Sequence, residues 1–351
     1  CKVNAEKPEQ DIISQAGKIL REGGLVAFPT ETVYGLGGNA LDAAASEKIY
    51  AAKGRPSDNP LIVHIARMED LEKIVTGVPK KAKILAEACW PGPLTMILPK
   101  SEEVPYETTG GLDSVAVRYP SHPVAQALIL AAGGFVAAPS ANTSGRPSPT
   151  TAAHVQEDLT GAVDMILDGG QVGIGIESTI VDFTEKIPTV LRPGYISLEK
   201  LKELLGEVKM DKGLLRADAS QRPKAPGMKY RHYAPKAELT IVEGSTEYVV
   251  AYINQKAKEA SKRGRQIGII GTEETFPYYS SGVVRCIGSR KKEEGIALHL
   301  YEVLRDFDQC EVEAIYSESF DTPKMGQAIM NRLLKAAGHR VVQAEKKIND
   351  R

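Results

Sequence analysis

The stretch that organises this chain is KGRPSDNPLIVH, residues 53–64. Its first half is a polar turn in which Lys53 and Arg55 stand two residues apart, with glycine and proline restricting the backbone around them. Its second half is an apolar run typical of a buried strand, with His64 at its end. An ammonium and a planar guanidinium both suit phosphate oxygens, so the turn suggests an anion site, although a solvated surface turn has the same composition.

Length and composition indicate a globular protein with two domains. The 351 residues exceed one ordinary domain, and 42% of them are hydrophobic. A net charge of −1 excludes a chain-wide field for nucleic acid, so an anion site must be local. The four cysteines are dispersed, and neither a membrane span nor a signal peptide is visible, so we expect a cytoplasmic protein without a disulfide framework or zinc knot.

The spacing of apolar residues predicts two kinds of α/β organisation. Residues 1–207 alternate apolar strands and amphipathic helices, which indicates a mixed α/β domain with a twisted open sheet. Residues 237–343 repeat short βα units, which predicts a smaller, doubly wound, Rossmann-like domain, and residues 344–351 form a polar tail.

The polar connections of the first domain are where we expect its chemistry. Residues 29–37 are interpreted as a turn that is dense in hydroxyls and has one carboxylate, and Asp42 should cap the helix before the Lys53 turn. Small polar and cationic residues are predicted at strand ends, where open α/β sheets bind ligands: Lys53, Arg55, Arg118, Ser140, Asn142 and Arg192. Such a pocket would act by positioning substrates and neutralising charge. His64 is interpreted either as a satisfied core histidine or as a substrate contact.

Residues 208–236 are predicted to be a basic linker between the domains. Positions 209–236 hold eight Lys or Arg against two Asp, a net charge of +6, and show no apolar period. Towards the end, APGMKYRHYAP (residues 225–235) alternates aromatic and cationic residues, so we hypothesise a lid that folds over a nucleotide and excludes water.

Common catalytic motifs are missing from the sequence. It has no P-loop, no G-x-G-x-x-G fingerprint, no H-E-x-x-H pair and no G-x-S-x-G elbow. The six histidines are dispersed, so we expect no protein-ligated metal.

Several motifs together resemble the YrdC-type threonylcarbamoyl-AMP synthases, in their long two-domain form. They are PTETVYGL (29–36), KGR with NPL (53–61), WPGPLT (90–95), VRYP (117–120), PSAN (139–142), ESTI (177–180), LRPG (191–194), APGMKYRHYAP (225–235) and GQAIMNR (326–332). The resemblance implies an enzyme that condenses L-threonine, bicarbonate and ATP into threonylcarbamoyl-adenylate and pyrophosphate. It implies Mg²⁺ on the ATP phosphates and no organic cofactor. The product would pass to a tRNA threonylcarbamoyl transferase complex.

The resemblance also implies roles for individual residues. The positions that match the threonine site are Thr32, His64, Arg118, Ala138 and Ser178. Those that match the nucleotide site are Arg55, Asn59, Ser114, Ser140, Ser148, Arg192 and Tyr230, to which the lid hypothesis adds His232. The reaction centre is lined by Lys53, Arg55, Ser140 and Asn142.

Two other functions stay open. Related domains of hydrogenase-maturation proteins make carbamoyl-adenylate, but those proteins carry cysteine clusters that this sequence lacks. An RNA-binding module, or a weak RNA contact, would fit the basic linker, whereas the near-zero net charge and the missing RNA motifs argue against it.

Overall fold

The computed structural model describes residues 1–211, 223–226, 232–320 and 325–345. The chain forms two compact units, of which the first comprises Cys1–Ser144 and Ser148–Tyr230 and the second comprises Gly145–Pro147 and Arg231–Arg351. Within the described ranges, no helix is both long and apolar enough to cross a membrane.

The first unit is a mixed α/β layer structure. Its elements are α1 (Gln10–Arg21), β1 (Val26–Phe28), β2 (Gly35–Asn39), α2 (Ala43–Lys53), β3 (Ile62–His64), α3 (Leu71–Ile74), α4 (Lys80–Cys89), β4 (Leu94–Pro99), β5 (Ser114–Arg118), α5 (Pro123–Ala131), β6 (Val136–Ala137), α6 (Ala152–Leu159), β7 (Met165–Ile166), β8 (Thr179–Asp182), β9 (Thr189–Arg192), α7 (Leu198–Leu205) and β10 (Lys209–Met210). Ten strands form one sheet in the order β10-β9-β8-β4-β5-β3-β6-β2-β1-β7, with parallel and antiparallel pairs. The predicted mixed α/β fold is confirmed.

Both faces of this sheet are apolar, as strand periodicity requires. Ala27 belongs to one hydrophobic cluster, whereas its neighbours Val26 and Phe28 belong to another. Because successive strand residues point to opposite faces, each cluster lies on one side of the sheet. Helices α1 and α5 supply the second cluster, and α2, α4 and α7 supply the first.

The hydroxyl-rich segment is partly a strand rather than only a turn. Gly35 begins β2, which returns antiparallel to β1 with Phe28 opposite Gly35. A Cβ at Gly37 would lie 3.0 Å from both Phe28 and Val136, so glycine permits this close pairing. The hairpin leaves residues 29–34 as its connecting loop.

Helix α2 ends at Lys53 and leads into the stretch at residues 53–64. The Asp42 carboxylate accepts a hydrogen bond from the Ala44 amide at 2.9 Å, as the sequence predicted. Gly54 ends the helix in the left-handed conformation, with φ of 59°. The prediction that all the polar candidates follow strands was therefore wrong for Lys53, which is the last helical residue, and for Arg55, which follows the helix cap.

The second unit is built on a parallel sheet. Its elements are β11 (Glu238–Glu243), α8 (Thr246–Lys262), β12 (Gly268–Gly271), β13 (Val283–Cys286), α9 (Glu293–Asp306), β14 (Ala314–Glu318), α10 (Gly326–Ala336) and β15 (Val341–Gln343). The described strands pair in the order β13-β12-β14-β11-β15, and every pair is parallel. The predicted doubly wound second domain is confirmed. Lys209 and Met210 of the predicted linker pair with β9 in the first unit instead.

Candidate active site

Strands β3 and β5 define two ends of the candidate site. They run parallel, so His64 and Arg118 lie side by side at their carboxyl ends. Ser114 begins β5, four residues before Arg118. At about 3.3 Å per residue, the two ends of β5 are roughly 13 Å apart. The predicted site residues therefore divide into two groups, one at each end of these strands.

Arg118 forms an ion pair at the carboxyl end. Its Nη2 lies 2.7 Å from Glu31 Oε1, and the two side chains are 5% and 13% exposed. The distance is that of an ion pair, yet neither atom has a partner aligned for hydrogen bonding. Arg118 Nε and Glu31 Oε2 are buried and lack hydrogen bonds as well. Since buried polar groups are normally satisfied, this pair is suited to receive a polar ligand.

His64 is held neutral beside Arg118. Burial, and then the Arg118 charge, lower the pKa of His64 to about 3. Its Nδ1 lies 3.0 Å from the Ile62 carbonyl oxygen, and its ring meets that of Phe28 edge-on at 6.3 Å. A neutral imidazole can line a polar pocket without adding a second cation to that of Arg118.

Thr32 and Ser178 are buried hydroxyls. Thr32 Oγ1 is 3.0 Å from Thr30 Oγ1, in the loop that carries Glu31. Ser178 Oγ is 2.7 Å from Thr95 Oγ1 and accepts a hydrogen bond from Arg192 Nη2 at 3.2 Å. Thr95 is the cross-strand partner of Arg118, which places Ser178 and Arg192 at the same end of the sheet as Arg118.

Lys53, Ser140 and Asn142 form one cluster. The Lys53 ammonium donates hydrogen bonds to the carbonyl oxygens of Ser140 and Asn142, and the Lys53 side chain is buried. The Ser140 hydroxyl donates to Asn142 Oδ1 at 2.6 Å. The charge of Lys53 is thus held in a fixed position, as electrostatic stabilisation of a reaction requires.

Arg55, Asn59 and Ser114 lie near the amino ends of β3 and β5. Arg55 Nε donates to the Asn59 carbonyl at 3.1 Å, and its Nη2 donates to the Pro60 carbonyl at 3.0 Å. The register of β3 and β5, in which Ile62 faces Ala116, places Ser114 next to Pro60. Asn59 Oδ1 is buried and has no hydrogen bond, so this end also presents an unsatisfied acceptor.

Ala138 lies between the two groups. Its amide donates to the carbonyl of Ile62, the first residue of β3, at 2.9 Å, and Ile62 pairs with Ala116 in the middle of β5. Ser148 donates to Glu177 Oε1 at 2.6 Å, and both residues are buried.

Tyr230 and His232 are the two candidates that fall in the predicted linker. Tyr230 lies outside the described residues. His232 belongs to the second unit, where it is buried with its ring 5.6 Å from that of Tyr233. The lid hypothesis stays a prediction.

Three polar residues of this region were not among the sequence candidates: Glu31, Thr95 and Glu177. Glu31 was visible only as the one carboxylate of the hydroxyl-rich segment, and its partner could not be named because Arg118 is 87 positions away. In the described parts of the chain, no three His, Cys, Asp or Glu side chains are grouped in a way that could hold a metal ion.

Two family models match the chain. The model described as "Telomere recombination" (Sua5_yciO_yrdC) matches residues 18–194, and the one described as "Threonylcarbamoyl-AMP synthase, C-terminal domain" matches residues 196–338.

Relatives with this name cover nearly the whole chain. The threonylcarbamoyl-AMP synthase of Bacillus subtilis is 50% identical over 94% of this chain and 94% of its own length. That of Pyrococcus abyssi is 47% identical over 96% of this chain and 97% of its own. A crystal structure of P. abyssi Sua5 complexed with L-threonine has a TM-score of 0.93 at 45% identity, covering 98% of this chain and 100% of that one. The chain belongs to the threonylcarbamoyl-AMP synthase family, in its two-domain form.

Proposed function

We propose that this protein condenses L-threonine, bicarbonate and ATP into L-threonylcarbamoyladenylate and pyrophosphate. The observation that carries the proposal is the division of the site along β3 and β5. Arg118 lies at one end with unsatisfied polar atoms, and Lys53 and Arg55 lie towards the other. One end suits a small amino acid, and the other suits the phosphates of a nucleotide.

The amino-acid end has the donors that threonine needs. The Arg118 guanidinium can bind a carboxylate through two parallel hydrogen bonds. Thr32 and Ser178 supply buried hydroxyls for the polar groups of the substrate. His64, held neutral by burial and by Arg118, adds no further positive charge to that of Arg118 and Arg192 at this end.

The nucleotide end stabilises charge that develops when pyrophosphate leaves. Attack of the threonine carbamate on the α-phosphorus forms a new P–O bond and breaks the bond to the β-phosphate oxygen. Lys53, fixed by two carbonyl groups, and Arg55, fixed by two more, hold positive charge near the phosphates without reorganisation. Mg²⁺ enters as part of MgATP and neutralises the phosphates it carries.

The remaining parts of the proposal concern the setting of the reaction. The adenylate is the activated donor for a transferase that places threonylcarbamoyl on tRNA, which makes this the first step of that modification. We place the enzyme in the cytoplasm, where its four free cysteines would stay reduced. A weak contact with RNA through the basic linker would assist transfer of the threonylcarbamoyl group. Mg²⁺ is needed only as the counter-ion bound to the ATP phosphates.

A coupled assay tests the proposal. The protein is incubated with MgATP, labelled bicarbonate and one amino acid at a time, and pyrophosphate and labelled adenylate are measured. We expect pyrophosphate release that requires both bicarbonate and L-threonine. Release that occurs without either of them, or that requires carbamoyl phosphate instead, would overturn the proposal in favour of another adenylate.

A further inference from the structure

The Arg118–Glu31 ion pair is unusual in its hydrogen bonding. Four of its buried atoms, Nε and Nη2 of Arg118 and both carboxylate oxygens of Glu31, have no hydrogen-bond partner. A buried ion pair normally offsets its desolvation through additional hydrogen bonds. An acceptor and a donor group left unsatisfied side by side indicate a ligand that carries both an anion and a cation.

The loop that carries Glu31 is fixed by the backbone. Ile174 donates its amide to the Glu31 carbonyl at 2.9 Å, and Gly175 donates to the Thr32 carbonyl at 3.0 Å. These two backbone hydrogen bonds fix the loop, and the loop holds the Glu31 carboxylate at the site.

The two charges of an α-amino acid complement the two charges of this pair. Standard bond lengths put the amino nitrogen about 2.5 Å from the carboxylate carbon. A zwitterion that enters between Arg118 and Glu31 can give its carboxylate to the guanidinium and its ammonium to the carboxylate. Each protein group then exchanges one oppositely charged partner for another, so neither charge is left buried and unpaired.

We propose that Glu31 binds the ammonium of threonine and accepts a proton from it before the amine attacks bicarbonate. This inference rests on the proposed function and adds to it a catalytic residue. The neighbouring histidines are less suited to the task. His64 Nδ1 lies 3.0 Å from the Ile62 carbonyl oxygen, and His122 Nδ1 accepts the Val124 amide hydrogen as a helix cap, so in each ring this nitrogen already has a backbone partner.

The proton transfers balance. The ammonium gives one proton to the Glu31 carboxylate and becomes a neutral amine. The nitrogen lone pair attacks the bicarbonate carbon, a C–N bond forms, and the C–O bond to the hydroxyl group breaks. A second proton from nitrogen leaves with that hydroxyl group as water, which yields the carbamate. The proton on Glu31 then passes to solvent and restores the carboxylate.

The test compares two ligands that differ only in the ammonium. Calorimetry measures the binding of L-threonine and of the 2,3-dihydroxybutanoate of the same configuration, in which a hydroxyl replaces the amino group. We expect the unchanged protein to bind threonine about 10- to 100-fold more tightly, the usual effect of a hydrogen bond between charged groups. This comparison does not depend on whether any variant folds.

Variants of Glu31 then show whether this residue causes the preference for threonine over the hydroxy acid. In Glu31→Gln the two ligands should bind with equal affinity, and kcat at saturating threonine should fall about 100-fold or more. Glu31→Asp keeps a carboxylate and should retain part of the preference. Asp70→Asn is the matched control, because Asp70 is also a largely buried carboxylate in an ion pair, with Lys73 at 2.8 Å, and should change neither quantity.

The outcomes separate this inference from the proposed function. Threonine-dependent pyrophosphate release without any preference for threonine over the hydroxy acid would overturn the role of Glu31 alone. Equal weakening of both ligands in Glu31→Gln would show a purely structural role and would also overturn it. Absence of threonine binding and of turnover in the unchanged protein would overturn the proposed function and, with it, this inference.

Discussion

Replacing Arg118 by methionine removes a guanidinium and leaves Glu31 buried without its ionic partner. The Glu31 side chain is 13% exposed, so water can solvate it only in part. Removing one member of a buried ion pair costs about 3–5 kcal/mol, mostly because the other charge is left uncompensated. We expect Arg118→Met to lower the free energy of unfolding of the first unit by about 3 kcal/mol, towards the lower limit because Glu31 keeps some contact with solvent.

The stability effects of substitutions at Glu31 and Arg118 should be strongly coupled. Glu31→Gln alone leaves the Arg118 charge buried without a partner, and it should lower the free energy of unfolding by a similar amount. The double variant leaves neither charge of the pair behind. Its loss of unfolding free energy should therefore be at least about 2 kcal/mol smaller than the sum of the losses in the two single variants. Both single variants should also bind threonine more weakly, Glu31→Gln by about 10- to 100-fold, and the double variant should not recover this affinity although it recovers part of the stability.

Urea unfolding followed by tryptophan fluorescence measures the free energy of unfolding of the first unit. Trp90 is the single tryptophan of the chain and is buried in the first unit, with its Nε1 donating to the Leu94 carbonyl at 2.8 Å. Its signal therefore reports unfolding of that unit. If the single losses add in the double variant to within about 0.5 kcal/mol, the ion pair has no energetic role and the reasoning is refuted.

Three further changes have definite expected results. Lys53→Met removes the charge held by the Ser140 and Asn142 carbonyls, so pyrophosphate release should fall about 100- to 1,000-fold in the coupled assay, while calorimetric binding of threonine is retained. The folded-state pKa of His64 is depressed to about 3 from 6.5, so the unfolded chain binds its proton first as pH falls. Stability contributed by neutral His64 is therefore complete above pH 6.5 and is lost towards pH 3, with a slope up to about 1.4 kcal/mol per pH unit that His64→Gln should remove in urea titrations. Combined Tyr230→Ala and His232→Ala substitutions should raise hydrolysis of ATP to AMP without threonine or weaken nucleotide binding, as measured by chromatography and calorimetry.

Each of these three predictions has a specific outcome that would contradict it. Unchanged pyrophosphate release in Lys53→Met would remove that ammonium from the reaction centre. An unaltered slope of stability against pH in His64→Gln would mean that another group titrates there. Wild-type AMP formation together with wild-type nucleotide binding in the Tyr230 and His232 double variant would end the lid hypothesis.

Local patterns in the sequence predicted the elements whose signals are local. The Asp42 cap, the helix before Lys53 and the parallel units after residue 237 all depend on residues close together in the chain, and all were found. The turn assignment for residues 29–37 failed in part, because Gly35–Asn39 lacks the β-branched residues that mark strands. Its strand character comes from pairing with β1 and β6, which a propensity cannot show.

The sequence predicted which types of residue form the candidate site but not how their side chains are paired. Cations and hydroxyls indicated an anion pocket, and the order of the motifs indicated the family. The partner of Arg118 was not predictable, since Glu31 reaches it from a hairpin loop 87 positions earlier. Nor was the neutral state of His64 predictable, because it depends on burial and on the neighbouring strand.

The amino-acid sequence by itself determined the two α/β units, the family and the set of polar groups available for catalysis. These properties are encoded in periodicity, capping residues and short motifs, which act over a few residues. The tertiary structure alone decided how those groups are paired and charged. Strand register sets His64 beside Arg118, and the hairpin loop brings Glu31 within 2.7 Å of that arginine. Desolvation and Coulomb interactions depend on distances through space, so they are defined only after the distant segments have packed together.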